Sequence, residues 1–234
     1  SLFNQIGPGD EYSYTPNFES VLDTTSFQAG QTIQHYGGFE PRLSARYLLG
    51  EMSSVKASYM RTRQYLHLVS NSTASFPWDV WIPSSRHIAP QIADQVSVGY
   101  FRNFFDSRME ASWELYYKDM QNQVDFKNGA ELFLNPTLET EILTGRGYAY
   151  GSEWMLRKPR GNLTGWLSYT LSRSVRQIDG INQDRPYNAN SDRRHDLSLV
   201  GTYQLSPRIN FGGNFVFASG APVTLPIGTY RLDS

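Results

Sequence analysis

The chain has 234 residues, of which 39% are hydrophobic, 14% aromatic and 18% charged. Its mean hydropathy is −0.48 and no apolar run approaches the roughly 20 residues of a membrane-spanning helix, which excludes a helical membrane protein. The balance of 21 basic against 22 acidic residues argues against a nucleic-acid partner, and the lack of cysteine excludes a disulfide framework or a thiolate metal site.

Hydropathy averaging does not exclude strands with one apolar and one polar face. Ser1 to Gln5 read as the end of a strand, broken by Gly7, Pro8, Gly9 and Asp10. No leader pattern precedes them, and this opening points to a fragment rather than a cytoplasmic protein. The stretch to about Gly38, rich in Tyr, Thr, Ser, Gln and Asn, reads as a long irregular loop. Leu43, Ala45, Tyr47 and Leu49 then alternate with Ser44, Arg46 and Leu48. Gly50 to Ser53 turn the chain, and a strand returns from Ser54 to about Val69, its phase blurred from Arg61 to Leu68 in the manner of a bulge. Asn71 to Gln91 is a second long loop.

The next strand carries Val96, Val98 and Tyr100, and Asn103 to Arg108 turn it. The strand that follows has the clearest period of two: Met109, Ala111, Trp113, Leu115 and Tyr117 are apolar, and Glu110, Ser112, Glu114 and Lys118 between them are polar. Lys127 to Thr144 is a third long loop, with a short helical turn expected between Leu132 and Leu143. Tyr148, Tyr150 and Trp154 mark a strand ending at Lys158, and Pro159 to Asn162 form a tight turn. Leu163 to about Val175 is a strand, and Asp179 to Arg194 a fourth long loop. His195 to Leu205 return, Ser206 to Arg208 turn, and Phe211 to Phe217 form the last strand.

About nine strands thus alternate between tight turns on one side and long loops on the other. Loops beyond about 12–15 residues are uncommon in compact domains, and Tyr100, Tyr117, Trp154, Tyr169 and Tyr203 fall where a membrane barrel places its aromatic girdles. The expected fold is all-β, an antiparallel transmembrane β-barrel. A soluble β-sandwich is the alternative, and it would be soluble and monomeric without detergent. An odd, open set of strands cannot close on itself in lipid, so the strands are expected to be part of a larger barrel.

Several segments carry more than periodicity: Pro41-Arg42-Leu43-Ser44-Ala45-Arg46-Tyr47, Phe76-Pro77-Trp78-Asp79-Val80-Trp81-Ile82-Pro83, Glu114-Leu115-Tyr116-Tyr117-Lys118, Gly145-Arg146-Gly147-Tyr148-Ala149-Tyr150-Gly151-Ser152-Glu153, Gly165-Trp166-Leu167-Ser168-Tyr169-Thr170-Leu171-Ser172, Asp192-Arg193-Arg194-His195-Asp196, and Ala218-Ser219-Gly220-Ala221-Pro222. In this order and spacing, from about residue 40 to 230, the chain resembles the barrel domain of TonB-dependent outer-membrane receptors, especially those of Bacteroidetes-like bacteria. The resemblance implies that residues 1–234 are the middle part of one 22-stranded β-barrel domain, without its plug domain or the barrel ends. It implies location in the bacterial outer membrane and import of a scarce nutrient into the periplasm. The implied partners are the plug of the same parent chain, the TonB system of the inner membrane, outer-membrane lipid, and a small ligand: siderophore, cobalamin, oligosaccharide or peptide.

On this reading Leu43, Ala45, Tyr47, Val55, Ala57, Trp113, Leu115, Leu167, Leu199 and Phe215 face lipid. Arg46, Lys56, Glu110, Glu114, Glu153 and Asp196 face the lumen. Candidate ligand-binding residues are Phe76, Trp78 and Trp81 in the second loop, Tyr12 and Tyr14 (with Phe18) in the first, and Tyr187 with Arg185 in the fourth. Rigid aromatics in a solvated loop stack on ligands at low entropy cost; they equally serve as the folded core of a loop. In the alternative sandwich, Trp78 and Trp81 would bind carbohydrate. His35, His67, His87 and His195 show no metal-ligand spacing, and no cofactor is expected. Asp192 to Asp196 read as a charge cluster that pairs internally and orders a strand top. Glu110 and Glu114 share a strand face, but i and i+4 lie roughly 13 Å apart on a strand, too far for the paired carboxylates of a glycosidase. No nucleophile elbow, Walker loop or dinucleotide fingerprint occurs, so enzymatic function is not expected.

Overall fold

The structure, a computed structural model, describes residues 1–15, 20–69, 80–127, 130, 135 and 137–222. In chain order it contains β1 (Leu2–Ile6), β2 (Gly9–Tyr14), β3 (Val21–Phe27), β4 (Thr32–Gly37), β5 (Arg42–Gly50), β6 (Ser53–Gln64), β7 (Leu66–Val69), β8 (Val80–Pro83), β9 (Gln91–Phe104), β10 (Met109–Phe126), β11 (Ile142–Lys158), β12 (Leu163–Gln177), β13 (Tyr187–Asn188), β14 (His195–Ser206) and β15 (Ile209–Ala218). Two 3₁₀ turns, Leu138–Glu141 and Asn182–Asp184, lie in the long connections. The first of them is the short helical turn expected there.

Eight long strands form one antiparallel meander in the order β15-β14-β12-β11-β10-β9-β6-β5, with the short β13 added to β12. Turns on one side are tight. The β9–β10 turn packs Phe105, Asp106 and Ser107 at φ of 52°, 52° and 63° into successive left-handed positions. Connections on the other side run 65–90, 127–141 and 178–194. Strands of 14, 18, 17 and 15 residues (β9 to β12) are far longer than the usual five or six. At about 3.3 Å per residue the longest spans roughly 60 Å, so these strands continue well past the 9–11 residues of a bilayer crossing.

Register sets one row of outward side chains straight across the sheet: Tyr47, Val55, Tyr100, Trp113, Trp154, Tyr169, Leu197 and Phe217, one from each long strand. A parallel row on the opposite face runs Arg46, Lys56, Gly99, Glu114, Glu153, Thr170 and Asp196. The ten residues expected on the apolar face all lie on one face, and the six charged residues all lie on the other. The apolar face is the open one: Leu43 is 66% exposed, Tyr47 72%, Leu115 40% and Phe215 54%. On the polar face Glu114 is partly buried between neighbours, while Arg46, Lys56 and Glu153 are exposed.

This arrangement differs from that of a soluble protein, in which the apolar face of a sheet packs on a second layer. A sandwich would cover those side chains, and among the described residues no second sheet does. Buried apolar side chains cluster instead at the loop-side rim. Ile82, Ile88, Val124 and Phe126 pack with Leu138 and Ile142, and Val175, Ile178 and Ala189 are buried around the base of the 178–194 connection.

Three details differ from the expectations drawn from the sequence. The stretch before Gly38 is not irregular: β2 pairs β3 and β4 pairs β1, each in its own two-stranded sheet. Polar residues with little alternation hid these hairpins. Consequently β1 is not a strand of the main sheet, and the ninth member of that sheet is β13. The blurred phase after Arg61 is not a bulge within one strand. The chain leaves the sheet at Tyr65, and β7 pairs β8 outside it. A true bulge sits in β10 instead, where Asn122 adopts φ 55° and the register shifts between Gln121 and Gln123.

At the loop side β11 and β12 approach closely. A Cβ on Gly145 would stand 2.4 Å from the carbonyl oxygen of Gln177, whereas one on Gly201, lower in the sheet, would meet nothing within 4 Å. Gly145→Ala should therefore lower stability by about 1–3 kcal/mol, the usual cost of overpacking, and Gly201→Ala should cost much less. Unfolding midpoints of the two variants, measured side by side, check the difference. Equal effects would mean that the strands can separate freely at Gly145.

Candidate ligand-facing site at the loop side

The loop-side rim is where the sequence concentrates aromatic and titratable side chains, and three polar assemblies organise it. The first holds the β7–β8 hairpin to the sheet. Gln123 Nε2 donates to Gln91 Oε1 at 2.9 Å, and Gln91 Nε2 lies 3.0 Å from His67 Nδ1. His67 Nε2 lies 3.0 Å from Ser84 Oγ. Because Gln91 presents its amide N–H to Nδ1, that nitrogen accepts and Nε2 carries the proton. His67 and Ser84 are both fully buried. Nearby, Asn122 at the bulge donates to the Pro90 carbonyl at 2.8 Å, which ties β10 to the start of β9.

The second assembly anchors the 178–194 connection. Tyr187 donates its hydroxyl to Asp125 Oδ2 at 2.7 Å, and Arg176 Nη1 lies 3.5 Å from the same oxygen. Burial, followed by the Asp125 carboxylate, raises the Tyr187 phenol pKa. Asp192, nearly buried, accepts the Ser174 backbone N–H at 2.7 Å. The carbonyls of Arg193 and Arg194 accept from Ser172, and His195 Nδ1 shares a hydrogen bond with Tyr169 at 2.8 Å. The run from Asp192 to His195 does order the strand top, but through β12 rather than by pairing within itself.

The third is a cleft of about 230 Å³ between the β2–β3 hairpin, residues 82–87 and the 3₁₀ turn at Leu138–Glu141. Tyr12 and Tyr14 form one wall, their ring centroids 6.5 Å apart and tilted by 45°. His87 meets Tyr14 edge-on at 5.1 Å, with its Nε2 3.0 Å from the Tyr12 carbonyl oxygen. Asp10, Glu11 and Glu139 supply carboxylates, and Ile33 and Ile82 part of the apolar floor. Glu139 accepts a short hydrogen bond from Ser85 Oγ, while the Ser85 carbonyl accepts from Tyr36 at 2.7 Å. Burial and then the Glu139 charge push the Tyr14 phenol up to about 12.

Of the candidate binding residues, the structure brings Tyr12 and Tyr14 together in this cleft. Trp81 lies on β8, 57% exposed, while its neighbour Ile82 turns into the rim core. Tyr187 and Arg185 lie at the second assembly, with the Tyr187 hydroxyl committed to Asp125 and Arg185 exposed. Phe76, Trp78 and Phe18 lie outside the described residues. His87, Glu11 and Glu139 join the cleft without any signal in the sequence. They come from three separate segments, and nothing local links them. Among the described residues no three His, Asp or Glu side chains converge in metal-binding geometry. Glu110 faces Arg157 at 3.6 Å rather than a second carboxylate.

The buried His67 gives the rim a pH dependence. Burial lowers its pKa from 6.5, and Ser84 and the Gln91 amide, both uncharged, are its partners. Below that value an opened hairpin takes up a proton that the packed one refuses, so packing stability falls as pH drops through about 6.5 toward the lowered value. Amide exchange of residues 66–68, Trp81, Ile82 and Ser84, corrected for intrinsic rates, should be faster near about pH 5 than near pH 7. His67→Gln should flatten that difference; protection unchanged by pH in the wild type would refute it.

No protein-family model matches the chain, and no curated protein matches it. Solved structures do. The alcaligin outer-membrane receptor FauA from Bordetella pertussis aligns over 84% of this chain and 32% of its own, at 17% identity and a TM-score of 0.53. The pyoverdine outer-membrane receptor FpvA from Pseudomonas aeruginosa, bound to pyoverdine, aligns over 82% and 26%, at 18% identity and 0.55. The ferric-catecholate import receptor Fiu from E. coli K12 aligns over 81% and 26%, at 17% identity and 0.54. The chain spans about a quarter to a third of the length of these receptors. At such identities the likeness is one of fold, and the long-stranded antiparallel sheet of this chain has the fold of a stretch of outer-membrane receptor barrel.

Proposed function

We propose that this chain forms part of the barrel wall of a TonB-dependent receptor in the bacterial outer membrane, where the loop side binds a scarce nutrient for import into the periplasm. The observation that carries the reading is the uncovered apolar face of the sheet. A full row of aromatic and aliphatic side chains lies on one face with no second layer over it among the described residues, Tyr47, Trp113, Trp154 and Phe217 being exposed, and the charges lie on the other face. Lipid is the solvent that makes such a face stable. The polar face would line the lumen, where Arg46, Lys56, Glu114, Glu153 and Asp196 would meet the plug of the parent chain. The parent chain would also supply the contact with the TonB system. The reading is one of binding and transport rather than catalysis. The candidate ligands remain siderophore, cobalamin, oligosaccharide and peptide, and the aromatic rim residues Tyr12, Tyr14 and Trp81 would contact them.

The gene product that carries these residues should fractionate with the outer membrane and run as a heat-modifiable band. Recovery in the soluble fraction without detergent would overturn the reading. Leu115→Arg should block assembly, because Arg at the bilayer midplane costs about 2–4 kcal/mol. Glu114→Gln, on the adjacent residue but the opposite face, should assemble at near wild-type levels. Equal tolerance of both substitutions would refute the assignment of faces.

A further inference from the structure

The apolar face carries two cations at its tight-turn end. Arg102 on β9 registers with Ala111, Ala111 with Leu156, and the same row continues through Leu167, Leu199 and Phe215. A single guanidinium thus stands in a row that is otherwise uncharged. Lys158 closes β11 on the same face, one step beyond Leu156. By register the two Cα atoms lie roughly 12 Å apart, from a strand spacing of about 4.8 Å and a rise of about 3.3 Å per residue. Among the described residues neither cation has an ion-pair partner. The outward carboxylates of the long strands, Asp94 and Asp119, register with each other near the loop end, roughly 26 Å from Arg102 along β9. Glu110 and Arg157, at the level of the two cations, point to the other face and pair there. The adjoining tight turns add exposed Arg108 and Arg160 against exposed Asp106 and Glu51, so this corner of the wall is basic.

The cations border an apolar groove of about 290 Å³, lined by Arg102 with Tyr100, Phe104, Trp113, Trp154 and Leu167. Ala111, also in its lining, is small among these neighbours and leaves the hollow open. The Arg102 guanidinium neighbours the Tyr100 hydroxyl and lies over the Phe104 ring, 5.0 Å from its centroid. Such stacking orients a guanidinium and leaves its N–H edge free for a planar, two-pronged contact with phosphate. Aromatic side chains gather where a membrane protein meets the headgroups, and lipid phosphates at that level attract Lys and Arg. We propose that this patch binds an anionic phospholipid of the periplasmic leaflet, its phosphate held by Arg102 and Lys158 and one acyl chain lying in the groove over Ala111. The proposal rests on the receptor reading above, which puts the tight turns on the periplasmic side.

The test uses the full gene product in detergent micelles supplied with equal amounts of phosphatidylglycerol and phosphatidylcholine of the same acyl chains. Native mass spectrometry counts the lipid that stays bound. Phosphatidylglycerol should be retained at least about fivefold over phosphatidylcholine, and Arg102→Gln or Lys158→Gln should each cut that ratio by about fivefold, the effect of one cation beside an anionic headgroup. Ala111→Phe fills the groove and should lower retention of phosphatidylglycerol while keeping the heat-modifiable band. Arg42→Gln, on the polar face of β5, should change nothing. The wild-type preference should also fall as salt rises; a preference insensitive to salt would overturn the proposal whether or not the variants assemble. Equal retention of the two lipids by the wild type, a preference that survives loss of both cations, or unchanged retention by Ala111→Phe would each overturn it. So would a dimer in lipid-free micelles that Ala111→Phe dissociates, which would assign the groove to a second copy. Any of those results with the protein still in the outer membrane leaves the receptor reading standing; loss of the membrane location defeats that reading instead.

Discussion

Backbone pairing between neighbouring strands is the constraint on which everything else here depends. A sheet that meets hydrocarbon cannot leave N–H and C=O groups to water, so each strand must find partners on both sides along its whole crossing. The main-sheet strands β6, β9, β10, β11, β12 and β14 each pair on both sides, with a register shift at the β10 bulge, and β5 and β15 pair on one; side-chain chemistry follows from that pairing. Once pairing is continuous, alternation along each strand becomes alternation between two whole faces. A single row of aromatic and aliphatic side chains can then run through eight strands without a charged residue interrupting it. Gly145 matters for the same reason: its missing side chain lets β11 and β12 stay paired where they crowd.

On the receptor reading, conventional packing begins where the strands would outrun the bilayer. Above the apolar belt the connections must satisfy themselves, and they do so by folding small cores onto the rim: Ile82, Ile88, Val124 and Phe126 on one side, Val175, Ile178 and Ala189 on another. Each core is pinned by a polar assembly that reaches a long strand, through Gln91 and Gln123 in one case and Asp125 and Arg176 in the other. The Asn122 bulge immediately precedes Gln123 and Asp125, the β10 members of these two anchorages. Bulges of this kind re-aim a strand and are frequent near binding sites.

The wall was legible in the sequence because a period of two is a strong signal whenever one face is uniformly apolar. Trp113, Leu115 and Tyr117 against Glu114 and Lys118 are enough by themselves to assign both faces of β10. The rim was legible only in part. Tyr12 and Tyr14 stand out as aromatics in a polar stretch, yet their hairpin partners Thr24 and Val21 carry no matching pattern. His87 and Glu139 reach Tyr14 through long-range folding of connections whose sequences encode no repeat. His67 reads in sequence as one more isolated histidine. Its buried setting depends on a glutamine from each of two other strands, which only the register of β9 and β10 brings together.

The charges on the polar face are sorted laterally as well as by face. Arg46 and Lys56 sit opposite one another on β5 and β6, and Glu114 and Glu153 opposite one another on β10 and β11, with the uncharged Gly99 between the two pairs. Like charges directly across a ladder repel, so each pair favours a counterion of its own rather than its neighbour. The row is thus basic at β5 and β6 and acidic at β10 and β11, with Lys118 and Arg157 also on the β10–β11 side of that face. On the receptor reading, each like-charged pair is a place on the wall where an oppositely charged side chain of the plug would relieve a repulsion built into the ladder.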